Sequence, residues 1–395
     1  MLEVSPIEPM PETPAPAYDK NNPFPACITE RRRLTSTKGQ KETVHFTINI
    51  AGSGLTYNCG DSLGVFSKNN PVAVEALLKA NGFSGEEEVV LPRTETKTTL
   101  RKALTDQFVL SGPAKKFIQL VHDRVTNPTE KETLAAVLNN PDAVAQKAWL
   151  DNREFIDIAE EFPSARFSAQ EYIENLRRLT PRLYSIASAP AQHPQEIQLT
   201  IAVVRYETNG RKREGVCSTF LSSRAPLNKA EVPVFVAAAH FGPPEDDSTP
   251  MIMVGPGTGI APFRSFLQDR AARATKGKNW LFFGDQHRES DFLYEDELTE
   301  YLQQGVLTEL STAWSRDQEY KIYVQDRMRE RGADLWQWLQ SGAYFYVCGD
   351  AKRMAKDVDA ALHEIIATHG KMTPEAAAEY VKQLKKDKRY QRDVY

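Results

Sequence analysis

Residues 251–267 read MIMVGPGTGIAPFRSFL. Met251–Val254 form a short, wholly apolar run of the kind that becomes a strand buried on both faces. Glycines at 255, 257 and 259 follow, and Pro262 stands where proline suits the first turn of a helix. A strand, a Gly-rich turn and a helix start, in that order, let the backbone approach a ligand and present free N–H groups to a phosphate. The spacing is not G-x-G-x-x-G, so the usual dinucleotide fingerprint does not strictly apply. Taken alone, the stretch reads equally as a phosphate site and as a tight strand-to-helix connection.

Working downstream, NWLFFG (279–284), VLTELSTAW (306–314) and AYFYVCG (343–349) repeat the short apolar run, with helical segments between them. That alternation predicts a parallel, doubly wound sheet. Past the third of its strands, WSRDQEYKIYVQD (314–326) places Arg316 and Lys321 at the carboxyl end, the ligand edge of such sheets. Two cations with a serine and a tyrosine suit an adenosine ribose bearing a 2′-phosphate, because guanidinium grips phosphate oxygens in a bidentate way. An exposed charged loop has the same composition.

Upstream, proline and acidic residues cluster in 242–250, which marks a boundary near Gly242–Pro250. Before it, ETVHFTINI (42–50) alternates apolar and polar residues between Gly-rich turns and predicts antiparallel strands. Helical patterns run from Pro71 to Leu179, and strand patterns return in RLYSIAS (182–188), EIQLTIAVVRY (196–206) and EVPVFVAAA (231–239). The expected fold is thus a β-barrel plus α/β: an antiparallel barrel from 24–70 and 180–242, an inserted helical subdomain at 71–179, and a doubly wound parallel-sheet domain at 243–395.

The first twenty residues are acidic and Pro-rich, unlike a signal peptide, and predict an extended arm over 1–23. A net charge of −4 argues against a nucleic-acid partner. The runs Arg31–Arg33 and Arg211–Arg213 read as solvated loops. No stretch approaches the roughly 20 apolar residues of a membrane span. The four cysteines, Cys27, Cys59, Cys217 and Cys348, are widely spaced without C-x-x-C, which fits a reducing cytoplasm and excludes a zinc site or disulfide framework. No metal site is expected.

In RLYSIAS, Arg182 suits a pyrophosphate, Tyr184 could lay its ring on a flat cofactor and Ser185 could bond its edge. REGVCSTFL (213–221) sets a glycine and small polar residues at a helix start, a second phosphate-type turn. A strand with an aromatic and a capped helix are the plain alternatives, but two phosphate-type sites on different domains make them a poor joint account.

RLYSIAS, GVCSTFL, VGPGTGIAPFRSFLQDR, NWLFFGDQHRESDFLYEDEL, AWSRDQEYKIYVQDRMRE, YVCGDAKRMAKDV and KRYQRDVY occur in the order seen in the reductase module of diflavin enzymes. The chain resembles that module as it occurs in the flavoprotein of NADPH-dependent assimilatory sulfite reductase, over essentially everything past the arm. The resemblance implies FAD in the barrel and NADPH in the parallel-sheet domain. It assigns the flavin to Arg182, Leu183, Tyr184, Ser185, Thr200, Ile201, Ala202, Tyr206 and the turn Gly215, Val216, Cys217 and Ser218, with Ser111 as a looser match. It assigns the coenzyme to Gly257, Thr258, Gly259, Ser315, Arg316, Lys321, Ile322, Tyr323, Val324, Gln325 and Asp357.

The same resemblance places Ser185, Cys348 and Asp393 around hydride transfer and makes Tyr395 an aromatic gate stacked on the flavin. By itself Cys348, following an apolar run, reads as a small buried residue. There is no room before Phe24 for the FMN domain of a diflavin enzyme. The expectation is a stand-alone reductase or the FAD/NADPH half of a longer protein, feeding the sulfite-reducing haemoprotein, a flavodoxin-like FMN protein or a ferredoxin. The same chemistry serving a flavodoxin or cytochrome is the near alternative. A non-catalytic nucleotide-binding module is the distant one, which needs none of Ser185, Cys348 and Asp393.

Overall fold

The computed structural model describes residues 18–395, so most of the expected arm (1–23) lies outside the described residues. Strands β1 (Phe24–Arg33) and β2 (Thr43–Asn49) pair antiparallel and lead to β3 (Ser62–Val65). Helices dominate from Pro71 to Glu174, as expected. Within them a short ribbon, β4 (Glu88–Val90) with β5 (Lys97–Thr99), corrects the all-helical reading. Left-handed Arg93 and Glu95 turn the chain there, and β-branched Thr98 and Thr99 favour extension.

The chain then forms β6 (Arg182–Ser185), β7 (Glu196–Ala202), β8 (Arg205–Thr208), β9 (Arg211–Glu214) and β10 (Val232–Ala237). Six of these strands make one antiparallel sheet in the order β6-β3-β10-β1-β2-β7. Its two edges meet. Ile186 bridges to Leu199, and the Ala187 N–H donates to the Gln198 carbonyl at 2.8 Å. That closes the sheet into a barrel and removes exposed edges. Val44, Phe46, Ile48, Leu63, Val65, Ile197, Leu199 and Val234 belong to its core.

A further sequence reading needs revision. The single strand expected over 196–206 stops at Ala202, where the Val203 N–H turns to the Glu42 carbonyl at 2.7 Å. Strand β8 instead pairs with β9 in a hairpin that belongs to neither large sheet. The polar residues of β2, whose placement the alternation left open, are inside. Thr43, His45 and Thr47 are buried along with Val44, Phe46 and Ile48.

The reason is a domain contact. The Tyr294 hydroxyl lies 3.0 Å from His45 Nδ1 and 2.7 Å from Thr200 Oγ1. Burial, with the charges of Arg264 and Arg32 nearby, pushes the His45 imidazole down to about 3, so it sits here neutral. Arg264 reinforces the contact by donating to the Ala187 carbonyl at 2.7 Å and Gln198 Oε1 at 2.6 Å.

The second sheet contains β11 (Met251–Val254), β12 (Asn279–Asp285), β13 (Glu309–Trp314), β14 (Tyr344–Gly349) and β15 (Tyr390–Val394). Its order is β13-β12-β11-β14-β15, with every pairing parallel. Alternate residues of the strands feed two apolar clusters, one with Ile252, Phe282 and Val347 and the other with Met253, Leu281 and Tyr346. Both faces are thus covered, and the strands read as unbroken apolar runs. Strand β15 escapes the sequence reading because its charged Arg392 and Asp393 sit on an edge strand, where polar side chains are tolerated. The order reverses between β11 and β14, the switch point at which open α/β sheets bind ligands. Among the described residues no helix is long and apolar enough to cross a membrane.

Candidate functional site

The turn after β11 is folded into that switch point. Gly257 has φ +57°, and one 3₁₀ turn (Gly257–Ile260) runs into the helix Ala261–Arg273, with Pro262 in its first turn. A Cβ on Gly259 would lie 2.2 Å from the Cys348 carbonyl oxygen, and one on Gly255 would lie 2.5 Å from that of Gly259. Only glycine lets the backbone come this close to β14.

Parallel pairing of β14 with β15 sets Cys348 and Asp393 side by side. The barrel contributes Ser185 from the end of β6, and its hydroxyl donates to Asp393 Oδ2 at 2.6 Å. The Cys348 thiol donates to the same oxygen at 3.8 Å. Burial, and then the Asp393 carboxylate, push the Cys348 thiol well above its usual pKa, so it stays protonated. Three residues from three strands of two domains therefore share one carboxylate oxygen. The carboxylate thus takes a hydroxyl and a fully buried, protonated thiol as its donors.

Tyr395 lies two residues past Asp393. Its N–H donates to the Gly349 carbonyl at 3.1 Å, and its phenol sits 2.9 Å from Thr258 Oγ1 in the glycine turn. A cleft of about 530 Å³ opens here, lined from the barrel by Lys41, Ala202 and Val204 and from the other half by Gly257, Asp285, Gly349 and Tyr395. Lys41 crosses it to pair with Asp285. Burial raises the Asp285 carboxyl, and the Lys41 charge opposes that shift. The sequence reading gave Lys41, Val204 and Asp285 no role, because only the packing of the two halves brings them together.

On the barrel side, the Arg182 guanidinium takes no hydrogen bond or ion pair among the described residues and is exposed. Leu183 (56% exposed), Val204 (47%), Tyr206 (46%) and Tyr395 (61%) leave apolar surface uncovered near the cleft or beside it in sequence. Tyr184 packs partly against the barrel core. Gly215 caps the short helix Val216–Thr219, and its N–H donates to the Val204 carbonyl at 2.9 Å. Ser218 Oγ accepts from the Val204 N–H at 3.1 Å, while Cys217 is buried. Uncovered apolar side chains, an unpaired cation and a glycine turn fit a flat aromatic cofactor with a pyrophosphate.

Thr200 and Ile201 are buried, and the Thr200 hydroxyl is engaged by Tyr294, whereas Ala202 lines the cleft. Ser111 lies in the helical stretch, bridged to Glu154.

Past β13, the Ser315 N–H donates to the Asp285 carbonyl at 2.9 Å, which aims the following loop across the sheet edge. Arg316 and Lys321 are exposed on that loop, and Arg316 Nη1 reaches Gln40 Oε1 of the barrel at 3.3 Å. Ile322 is half-buried, Tyr323 is exposed and caps the helix Val324–Glu330, and Val324 and Gln325 are buried. Asp357 is exposed in the first turn of the helix Met354–His369.

Comparison with known proteins agrees with this geometry. The model of the FAD binding domain family matches residues 16–220, and that of the oxidoreductase NAD-binding domain matches 253–360. The chain is 43% identical over 385 residues to the sulfite reductase [NADPH] flavoprotein alpha-component of Bacillus subtilis, covering 97% of this chain and 63% of that protein. It is 43% identical over 379 residues to the proteins of the same name from Mannheimia succiniciproducens and Yersinia pestis, covering 96% of this chain and 62% and 61% of theirs. It thus spans less than two thirds of the length of these relatives. Since one family model covers more than half of the chain, the chain belongs to the FAD binding domain family, and it carries an oxidoreductase NAD-binding domain behind it.

Proposed function

We propose that this chain takes hydride from NADPH onto FAD and passes the electrons to a protein acceptor that serves sulfite reduction. The convergence of Ser185, Cys348 and Asp393 on one carboxylate oxygen where the two halves meet carries the reading. Bound FAD would supply the ring that accepts hydride and releases electrons singly.

The chain's own residues bind and orient. Arg182 and the turn Gly215–Ser218 hold the flavin pyrophosphate, Tyr184 and Tyr206 line the ring system, and Leu183 and Thr200–Ala202 shape the groove. Gly257–Gly259 receives the coenzyme pyrophosphate. Ser315, Arg316 and Lys321 take the 2′-phosphate, which selects NADPH over NADH, and Ile322–Gln325 with Asp357 frame the rest of the coenzyme. Ser185, whose proton rests on Asp393, would offer its hydroxyl at the flavin edge, and Asp393 would face the positive charge that develops on nicotinamide. Tyr395 would shield the flavin ring and would have to leave for nicotinamide to reach it. Residues 24–70 with 180–242 form the flavin domain, 71–179 its insert, and 243–395 the coenzyme domain.

The relatives' name supports service to sulfite reduction, and the acceptor in this reading is a sulfite-reducing haemoprotein, reached directly or through a flavodoxin-like or ferredoxin-type carrier. Rapid mixing of the FAD-loaded protein with NADPH without oxygen tests the core of the proposal. Asp393→Asn should slow bleaching of the flavin on the order of 100-fold, with little change in the NADPH concentration that gives half the maximal rate. An unaltered rate would remove Asp393 from the chemistry.

A further inference from the structure

The hairpin β8–β9 poses a physical problem. A two-stranded ribbon outside any larger sheet is at best marginally stable in water. Yet it carries Tyr206 on one strand and runs directly from Glu214 into the turn at Gly215.

Arg205 on the first strand pairs with Glu42 of the barrel, but most of what holds the hairpin is a row of polar and charged side chains directed to one short helix of the insert, Phe155–Glu161, and its capping residue Glu154. Asn209 Nδ2 donates to Glu161 Oε1 at 3.1 Å. Arg211 pairs with Glu160 and, at 3.1 Å, with Asp157. Arg213 forks between Asp157 and Glu154, the second at 2.9 Å, and its Nε reaches Thr208 Oγ1 at 3.3 Å. The Arg213 side chain is only 4% exposed and that of Asp157 only 1%. The run Arg211–Arg213 is therefore not a solvated loop. Its first and third residues face the insert and only Lys212 is free to point outward.

Arg213 stands directly opposite Tyr206 across the hairpin, and Glu214 continues the network by accepting from Asn70 Nδ2 at 2.9 Å and Arg224 Nη1 at 2.7 Å. Glu154 is also the residue bridged to Ser111. The insert thus grips the hairpin through Asn209, Arg211 and Arg213, and Asn70 and Arg224 hold the end that runs into Gly215.

We infer that Arg213 is a positioning residue for FAD: through Asp157 and Glu154 the helical insert holds Tyr206 and the Gly215–Ser218 turn in their binding geometry. This rests on the flavin reading given above. Breaking a buried pair by removing one partner is costly because the other charge is stranded. The hairpin should then detach while both large sheets remain.

The test is FAD binding to the apoprotein, followed by fluorescence quenching, together with limited trypsin digestion. Arg213→Met keeps the length of the stem and removes the charge. It should raise the Kd for FAD about tenfold or more. It should also speed tryptic cleavage after Arg211 and Lys212 ahead of any other site, a readout that general destabilisation would not give. Arg213→Lys, which cannot fork between two carboxylates, should fall between. A Kd unchanged within about twofold, in a protein whose wild type binds FAD, overturns the inference. Wild type that binds no FAD overturns the flavin reading instead. If Arg213→Met fails to fold, Arg211→Gln on the half-exposed arm decides: a two- to threefold weaker Kd is expected on the order of a surface pair's worth, and none contradicts the clamp.

Discussion

Two glycine turns, one in each half, do similar work and are held by different forces. The turn at Gly255–Gly259 is fixed by backbone packing: glycine hydrogens lie against the carbonyls of Cys348 and Gly259, between two parallel strands with apolar clusters on both faces. The turn at Gly215–Ser218 ends a hairpin outside both sheets, and side chains hold it, through Ser218 and the buried charges around Arg213. Packing of backbone against backbone tolerates no substitution. Side-chain tethers can adjust, but they depend on residues far away in the sequence.

Substituting each glycine separates the two. At Gly259 an added methyl would meet carbonyl oxygen and carbon at 2.2 and 2.8 Å, atoms that cannot move without shifting β14. Gly259→Ala should cost about 3 kcal/mol or more in chemical denaturation and abolish NADPH turnover, because Cys348 and its neighbour Asp393 move with the strand. At Gly215 the methyl would meet Val204 Cβ at 2.8 Å and Ser218 Oγ at 2.9 Å, both side-chain atoms. Gly215→Ala should cost less, about 1–2 kcal/mol, and appear chiefly as weaker FAD retention with NADPH affinity preserved. Equal losses at the two positions would erase the distinction.

The same contrast explains what could be read from the sequence. The parallel half was legible because strands buried on both faces are unbroken apolar runs, although the glycine turn by itself read equally as a phosphate site and as a tight connection. The barrel and its helical insert followed from the change of period. Strand β15 was not legible, since Tyr390–Val394 has the composition of a tail and becomes a strand only beside β14. Nor was the fate of β2's polar face, which depends on Tyr294, about 250 residues away. Charged runs misled most. Arg31 donates to the Ala225 carbonyl at 2.6 Å and Arg213 is buried, but adjacent cations on a sequence look the same whether a carboxylate waits for them or water does.

Among the site residues, the family resemblance implied Ser185, Cys348 and Asp393, and the fold brings these three to one carboxylate oxygen. Lys41 and Asp285 carried no signal, because a lysine in a turn and an aspartate at a strand end are ordinary until two domains close on each other.

The central claim is that flavin and nicotinamide meet beside that oxygen. A crystal structure of the protein bearing FAD and NADPH's oxidised form tests it most directly. The account predicts the nicotinamide carbon within ~3–3.5 Å of the flavin nitrogen, next to Ser185 and Asp393, with the Tyr395 ring displaced from its place by Thr258. Two rings on separate surfaces, with Tyr395 still bonded to Thr258, would contradict it.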